Sequence, residues 1–292
     1  MPNFDALLDA QQPPEAPPMP EQPEFDKEAW AAGKKQQREE LYALADTTAL
    51  SVADDPARFT QYLDVQARFD RYSATNALLV LAQRPNATQL GDLDHWKKQK
   101  VFIKSSELGN AVLILAPGKE YEREDGSIGT SVDAKRVYDM SQAERPRIQQ
   151  QPKFDERTFA ALKKAAPLRV QGVDNLGQDA VIKGDTIFVQ KGMGPEATIC
   201  ALAREACRAE YLQQGSAPEA ADLAACAGAY MICKKYGADT KGIDLSDAQE
   251  FLSSFEEARD VRDALSDVRK AATEITGRMA KELEPRKAEA RA

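Results

Sequence analysis

Two short dipeptides constrain this chain more than any other feature. Asp125-Gly126 and Gly184-Asp185 each interrupt a stretch of alternating or β-branched residues. Such dipeptides supply the positive φ that a tight hairpin turn needs. Each predicts an antiparallel strand pair, one over 119–141 and one over 179–190. A further strand pair, joined by a polar turn, is predicted for 100–117. Almost everything else has helical periodicity. Leu41, Leu44, Ala45 and Leu50 share one stripe, and Phe59, Tyr62, Leu63 and Gln66 continue it on a second helix that Pro56 helps start. Ser73 is placed to cap a third helix over 73–83, which ends before Pro85. Helices are also predicted over 155–166, 195–213 and 217–236, the last closed by Gly237. Apolar residues then recur at 251, 255, 261, 265, 268, 275, 279 and 283, which predicts one long amphipathic helix, with Gly277 as a place where it could bend. The fold class is therefore α+β. N-terminal helices with a small antiparallel sheet precede a helix and hairpin domain that ends in a long C-terminal helix.

The predicted divisions are a proline-rich tail (1–24), a first domain (25–141), a polar linker (142–157), a second domain (158–246) and the terminal helix (247–292). The tail holds seven of the 16 prolines and is expected to be disordered, with Phe4, Leu7 and Leu8 as a candidate short partner-binding helix. The net charge of −8 excludes a global basic field, so any nucleic-acid contact must come from a local patch. No apolar run reaches the roughly 20 residues that span a bilayer, and no secretory signal opens the chain. A cytoplasmic protein without membrane association is expected. No phosphate-binding glycine loop is present.

One local patch stands out. Trp96-Lys97-Lys98-Gln99-Lys100-Val101-Phe102-Ile103-Lys104 combines four lysines and two aromatics without an acid. Single-stranded nucleic acids are bound by this pairing, since every base has a π-face and every step a phosphate. Arg71, Tyr72, Asn76 and Arg84 flank it and join the candidate interface. The alternative is that the aromatics are core and the lysines solvated.

The second feature is Arg204-Glu205-Ala206-Cys207-Arg208, on the 195–213 helix. Its spacing is that of a His-Glu-x-x-His zinc motif, with arginine at both histidine positions. Arginine stays protonated and offers no lone pair to a metal. The chain's single histidine, His95, lies in the other domain. No catalytic residue, metal ligand or cofactor is expected. Glu205 and the arginines could form an ion-pair cluster, or a pocket for an anion or a partner's carboxylate, or an unfamiliar site with Cys207, Cys226 and Asp222. Cys200/Cys207 and Cys226/Cys233 are each seven apart, two turns along one helix face. They are expected as buried apolar residues, with a thiolate metal site as the alternative.

Residues 69–117 resemble the N-terminal domain of ArdC-type antirestriction proteins of plasmids and conjugative elements. The resemblance rests on Ser73, Asn76, Leu78, Leu79, Gln83, Pro85, Ala87, Thr88, Trp96, Lys100, Lys104, Glu107, Gly109 and Pro117 in order. Ser106 departs from the family's glycine. Residues 136–142 are similar to the family's Val-Phe-Asp-Val-Ser-Gln segment. Residues 179–211 and 220–237 resemble its second, zincin-like domain, related to ImmA/IrrE-type peptidases, whose next helix supplies an acidic ligand where this chain has Ala224 or Cys226. The resemblance implies a single-stranded DNA-binding first domain joined to a peptidase-like domain that has lost its zinc ligands. Protein-interaction modules that engage a host or conjugation partner, and a metalloprotease with an altered site, are the alternatives.

Overall fold

The computed structural model describes residues 26–123, 125–147 and 152–284. The expected tail, with Phe4, Leu7 and Leu8, and residues 285–292 lie outside them. Asp26 accepts from the backbone N–H groups of Glu28 and Ala29 and so opens α1 (Lys27–Asp54). Pro56 stands in the first turn of α2 (Pro56–Arg68), where its missing N–H costs nothing, and Asp55 caps it. Ser73 caps α3 (Ala74–Gln83) through the Asn76 N–H.

The first sheet is antiparallel, ordered β1-β3-β2 from β1 (Leu90–Gly91), β2 (Val112–Glu122) and β3 (Ile128–Asp139). Gly126, at φ 79°, makes the turn that Asp125-Gly126 predicts. The expected strand pair over 100–117 is corrected. Its second half is the inner part of β2, paired Val112 to Val137 in the same hairpin. Its first half is not a strand. A short helix, α4 (Leu93–Lys98), capped by Asp92, comes just before it, and Lys100 follows in the left-handed region at φ 57°. Only Ile103 makes a ladder contact, with Ala143. Gly91 lets α4 lie against β1, because a side chain there would collide with the His95 ring.

Further along, α5 (Glu156–Ala165) leads to a second sheet, ordered β4-β6-β5 from β4 (Arg169–Val173), β5 (Ala180–Lys183) and β6 (Thr186–Gln190). The hairpin turns at Gly184, φ 62°. β4, parallel to β6, was not foreseen. Then come α6 (Pro195–Gln213) and α7 (Ala221–Tyr236), which Gly237 closes at φ 77°. The single terminal helix is also corrected. It is two helices, α8 (Ser246–Ser253) and α9 (Ala258–Leu283), interrupted at 254–257, and α9 continues through Gly277. Phe255 turns back edge-on to Phe251 at 5.3 Å.

The apolar stripe of α9 packs inward on the body of the protein. Val261, Leu265 and Val268 join Phe59, Leu63 and Leu78 of α2 and α3 and Leu223 of α7 in one core. Ile275 and Met279 join Leu162, Ile187, Ile199 and Leu202 in a second. α7 and α9 therefore belong to both cores and tie the two sheets' surroundings together. Each fully buried Leu, Ile or Met along this spine contributes about 1.5–3 kcal/mol. No helix among the described residues is long and apolar enough to cross a membrane.

Candidate nucleic-acid interface and the α6–α7 cleft

Several residues of the first region prove to serve the backbone. β2 lies at a sheet edge, and α3 lines that edge. Asn76 donates to the Leu115 carbonyl at 2.8 Å and accepts from the Leu115 N–H at 2.9 Å. Gln83, two turns on, does the same for Leu113, at 2.9 Å in both directions. Two side-chain amides thus complete an edge that would otherwise leave paired N–H and C=O groups open. Asp139, 1% exposed, accepts from the N–H groups of Thr88, Gln89 and Ser141. Burial works against its charge, but hydrogen bonds from Ser141, Gln89 and Thr88 outweigh burial and hold its pKa below the usual carboxylate range. Trp96 is fully buried and donates its indole N–H to the Tyr138 carbonyl at 2.9 Å. Trp96 is therefore corrected out of the candidate interface, since its ring is fully buried, while the Asn76 amide is engaged by the Leu115 backbone at the edge of a groove.

The remaining candidates fall into three places. Arg84 pairs with Glu107 at 3.8 Å, and Glu107 also accepts from Gln142 at 3.0 Å. Arg71 and Tyr72 line a groove of 500 Å³ with His95 and the Lys135–Asp92 ion pair. Tyr72 stacks on Phe69 at 5.5 Å and packs against the first core. Lys97, Lys98, Lys100, Phe102 and Lys104 are exposed. Phe102, at 63% exposure, is the most exposed aromatic ring among the described residues.

The structure adds two residues to this last group. The Ile103–Ala143 bridge lays residues 143–147 alongside 99–104. The Glu144 N–H donates to the Phe102 carbonyl at 2.9 Å, and Lys104 N–H to Gln142 at 3.0 Å. Arg147 reaches the Gln99 carbonyl at 3.5 Å. The result is a hollow of 540 Å³ lined by Lys100, Val101, Phe102, Glu144, Arg145, Pro146 and Arg147. Arg145 and Arg147 escaped the sequence reading because their segment looked like linker. Two arginines around a proline beside an acid-free basic run were the available signal.

The second place of interest is a cleft of 840 Å³ framed by α6, α7, β5 and residues 239–247. Glu205, 6% exposed, lies on its floor. Its two oxygens take Arg204 Nε and Arg208 Nε, each at 3.3 Å. Arg208 continues through Nη1 to Asp222 on α7. Burial opposes the Arg208 charge, but the carboxylates of Asp222 and Glu205 more than restore it, so its pKa rises. Cys226 also faces the cleft, and burial pushes its thiol up despite the pull of Arg204 and Arg208. Ala224, the other candidate for a third-ligand position, is fully buried.

This donor set does not fit a divalent cation. Two guanidinium groups already engage both carboxylate oxygens, and neither can donate a lone pair. Among the described residues, no group of three or more His, Cys, Asp or Glu is arranged to hold a metal ion. An anion fares little better. Asp179, Glu196, Asp239, Asp244 and Asp247 line the same cleft, with Lys241 as the only cation besides the two arginines. What the geometry supports is a self-neutralised ion-pair chain under an acidic rim.

No protein-family model matches the chain, and no curated protein does. Solved structures similar to it include two of one protein. One is the antirestriction ArdC protein from the R388 plasmid in a metal-free state, 16% identical over 72% of this chain and 86% of that one, with a TM-score of 0.49. The other is the same protein bound to Mn(II), 15% identical over 72% and 85%, with a TM-score of 0.48.

Proposed function

We propose that this chain is a non-catalytic, cytoplasmic, ArdC-like protein of a mobile element that binds single-stranded DNA through its first region. The observation that carries the reading is the hollow around Phe102. An exposed aromatic ring sits among Lys100, Arg145 and Arg147 on an otherwise acidic protein. A ring that is mostly exposed is available for a base, and the cations beside it are available for the flanking phosphates. Lys97, Lys98 and Lys104 extend the positive surface along the chain. Arg71 and Tyr72 would receive the strand where it leaves the platform. The ordered resemblance of residues 69–117 and 136–142 to the ArdC first domain supports DNA as the ligand and antirestriction as the setting.

The non-catalytic part rests on Glu205. A carboxylate held by Arg204 and Arg208 is a poor base. The cleft then acts as scaffold.

Fluorescence anisotropy with a labelled oligothymidine at low salt tests the binding. Weak, sequence-tolerant binding is expected, with log K falling by about 0.7 per phosphate contact for each unit of log salt. Charge reversal at Lys97, Lys98 and Lys100, or at Arg145 and Arg147, should weaken it. Absence of binding, or indifference to both sets, would sink the proposal. Elemental analysis of the purified protein tests the other part: a stoichiometric zinc or manganese ion that Glu205→Gln removes would overturn it.

A further inference from the structure

The four cysteines are spaced as two pairs along two helices, but they do not act as those pairs. Cys207 is fully buried, and it packs so tightly against α7 that a side chain at Gly228 would meet its Sγ at 2.7 Å. Cys226 faces the cleft without a sulfur partner. Cys200 on α6 and Cys233 on α7 instead meet across the helix interface, Sγ to Sγ at 3.7 Å. All four are free thiols.

The two sulfurs differ in a useful way. Cys200 lines the cleft and is half-buried, with its Sγ also 3.5 Å from the Asp239 carbonyl. Cys233 is buried beneath it. The two sulfurs are close enough for one S–H to donate to the other, and this contact lowers the Cys200 pKa more than burial raises it. The same contact, with burial, raises that of Cys233. Of the two sulfurs, only that of Cys200 can be reached from the cleft, so the thiolate available to a small molecule is the one on Cys200.

We propose that Cys200 and Cys233 form a peroxide-reactive dithiol, with Cys200 as the attacking sulfur and Cys233 as the resolving one. The Cys200 thiolate attacks one oxygen of a hydroperoxide, the O–O bond breaks, and Cys200 becomes the sulfenic acid while hydroxide leaves. Cys233 then attacks that sulfur, the S–O bond breaks, and its proton departs with the hydroxyl as water. For hydrogen peroxide, two thiols are oxidised to one disulfide and the peroxide is reduced to two waters. The reaction needs the sulfurs to close by about 1.7 Å, from van der Waals contact to the length of a disulfide. A small neutral oxidant suits the site because the rim residues Glu196 and Asp239 repel anionic ones. The product would staple α6 to α7 along the cleft wall, one turn from Arg204.

The experiment treats the full chain with hydrogen peroxide, alkylates the remaining thiols after unfolding, and maps non-reduced peptides by mass. A linked Cys200–Cys233 peptide, lighter by two hydrogens and recovered as two thiols with dithiothreitol, is expected. Cys207 should be oxidised about tenfold more slowly, or less, since it is buried. In Cys233→Ser the reaction should stop at a Cys200 sulfenic acid that dimedone captures. In Cys200→Ser, Cys233 should stay a thiol. The inference fails if Cys200 and Cys233 remain unlinked while Cys207 or Cys226 reacts, if no cysteine reacts, or if Cys233→Ser gives no trapped sulfenic acid while its far-UV circular dichroism stays native.

Discussion

The framework between α3 and β3 and the cleft between α6 and α7 both gather polar residues around a buried carboxylate, Asp139 in one and Glu205 in the other, but for opposite purposes. Around α3, Asn76, Gln83 and Asp139 turn toward backbone groups of another element. Each closes a gap in the hydrogen bonding of the sheet or of the loop that enters it. Around α6, Arg204, Glu205, Arg208 and Asp222 turn toward each other. They satisfy charges that they themselves bring in. A motif of the first kind is held by geometry, because an amide or carboxylate must match fixed N–H and C=O positions. A motif of the second kind is held only by charge balance, and its members can change together.

That contrast predicts unequal costs. The largest belongs to the framework. Asn76→Ala leaves the N–H and C=O of Leu115 without partners at a covered sheet edge, and each such group costs about 1–3 kcal/mol. Urea unfolding should show a loss of about 2–4 kcal/mol, and Asn76→Asp should not restore it, since it can accept from the N–H but not donate to the carbonyl. A loss within error would mean that water reaches this edge and that the amide is a surface feature.

Asp139 sharpens the same side of the comparison through pH. Its pKa in the folded chain is depressed, so its contribution is present above the unfolded value of about 3.9 and disappears as pH falls through the folded value. The wild type should therefore lose stability on acidification below about pH 4. Asp139→Asn should be about 1–3 kcal/mol less stable at neutral pH and should converge toward the wild type in acid. Parallel pH profiles for the two proteins would remove Asp139 as a structural anion.

On the cleft side the effects should be smaller. Glu205→Gln removes the central charge, but Arg208 keeps Asp222 and the Arg204 side chain, 36% exposed, can be hydrated. A loss of about 1 kcal/mol is expected, well under that of breaking a fully buried pair. Arg208→Ala should cost more than Arg204→Ala, because it cuts two contacts where the other cuts one. The reverse order, read from thermal unfolding, would mean that the chain of pairs does not organise the cleft.

The same distinction explains which parts of the protein could be read in advance. The Asp125-Gly126 and Gly184-Asp185 turns, the Ser73 and Pro56 helix starts and the Gly237 stop depend on their own few residues, and all are seen in the structure. Residues 100–104 were expected as a strand because Val101, Phe102 and Ile103 favour one. What decides their path is α4 before them and the distant Ala143 beside them. β4 has a weak pattern of its own and exists through its pairing with β6. The burial of Trp96 depends on Tyr138, and the meeting of Cys200 with Cys233 depends on how α6 and α7 cross. The Arg-Glu-Arg cluster lies within one helix, so its internal pairing was legible, whereas its link to Asp222 and the acids facing it were not.

The smallest stability effect belongs to Phe102, and it separates structure from binding. The ring is 63% exposed, so Phe102→Ala should change unfolding free energy by no more than about 0.5 kcal/mol. If a base stacks on it, the same substitution should weaken oligonucleotide binding by about 1–3 kcal/mol, or roughly 5- to 150-fold. The two measurements on one variant place Phe102 on one side of the comparison or the other. Stability unchanged with binding lost makes it a ligand platform. Stability lost with binding unchanged would make it one more framework residue, and the nucleic-acid interface would then have to be sought around Arg71 and Tyr72.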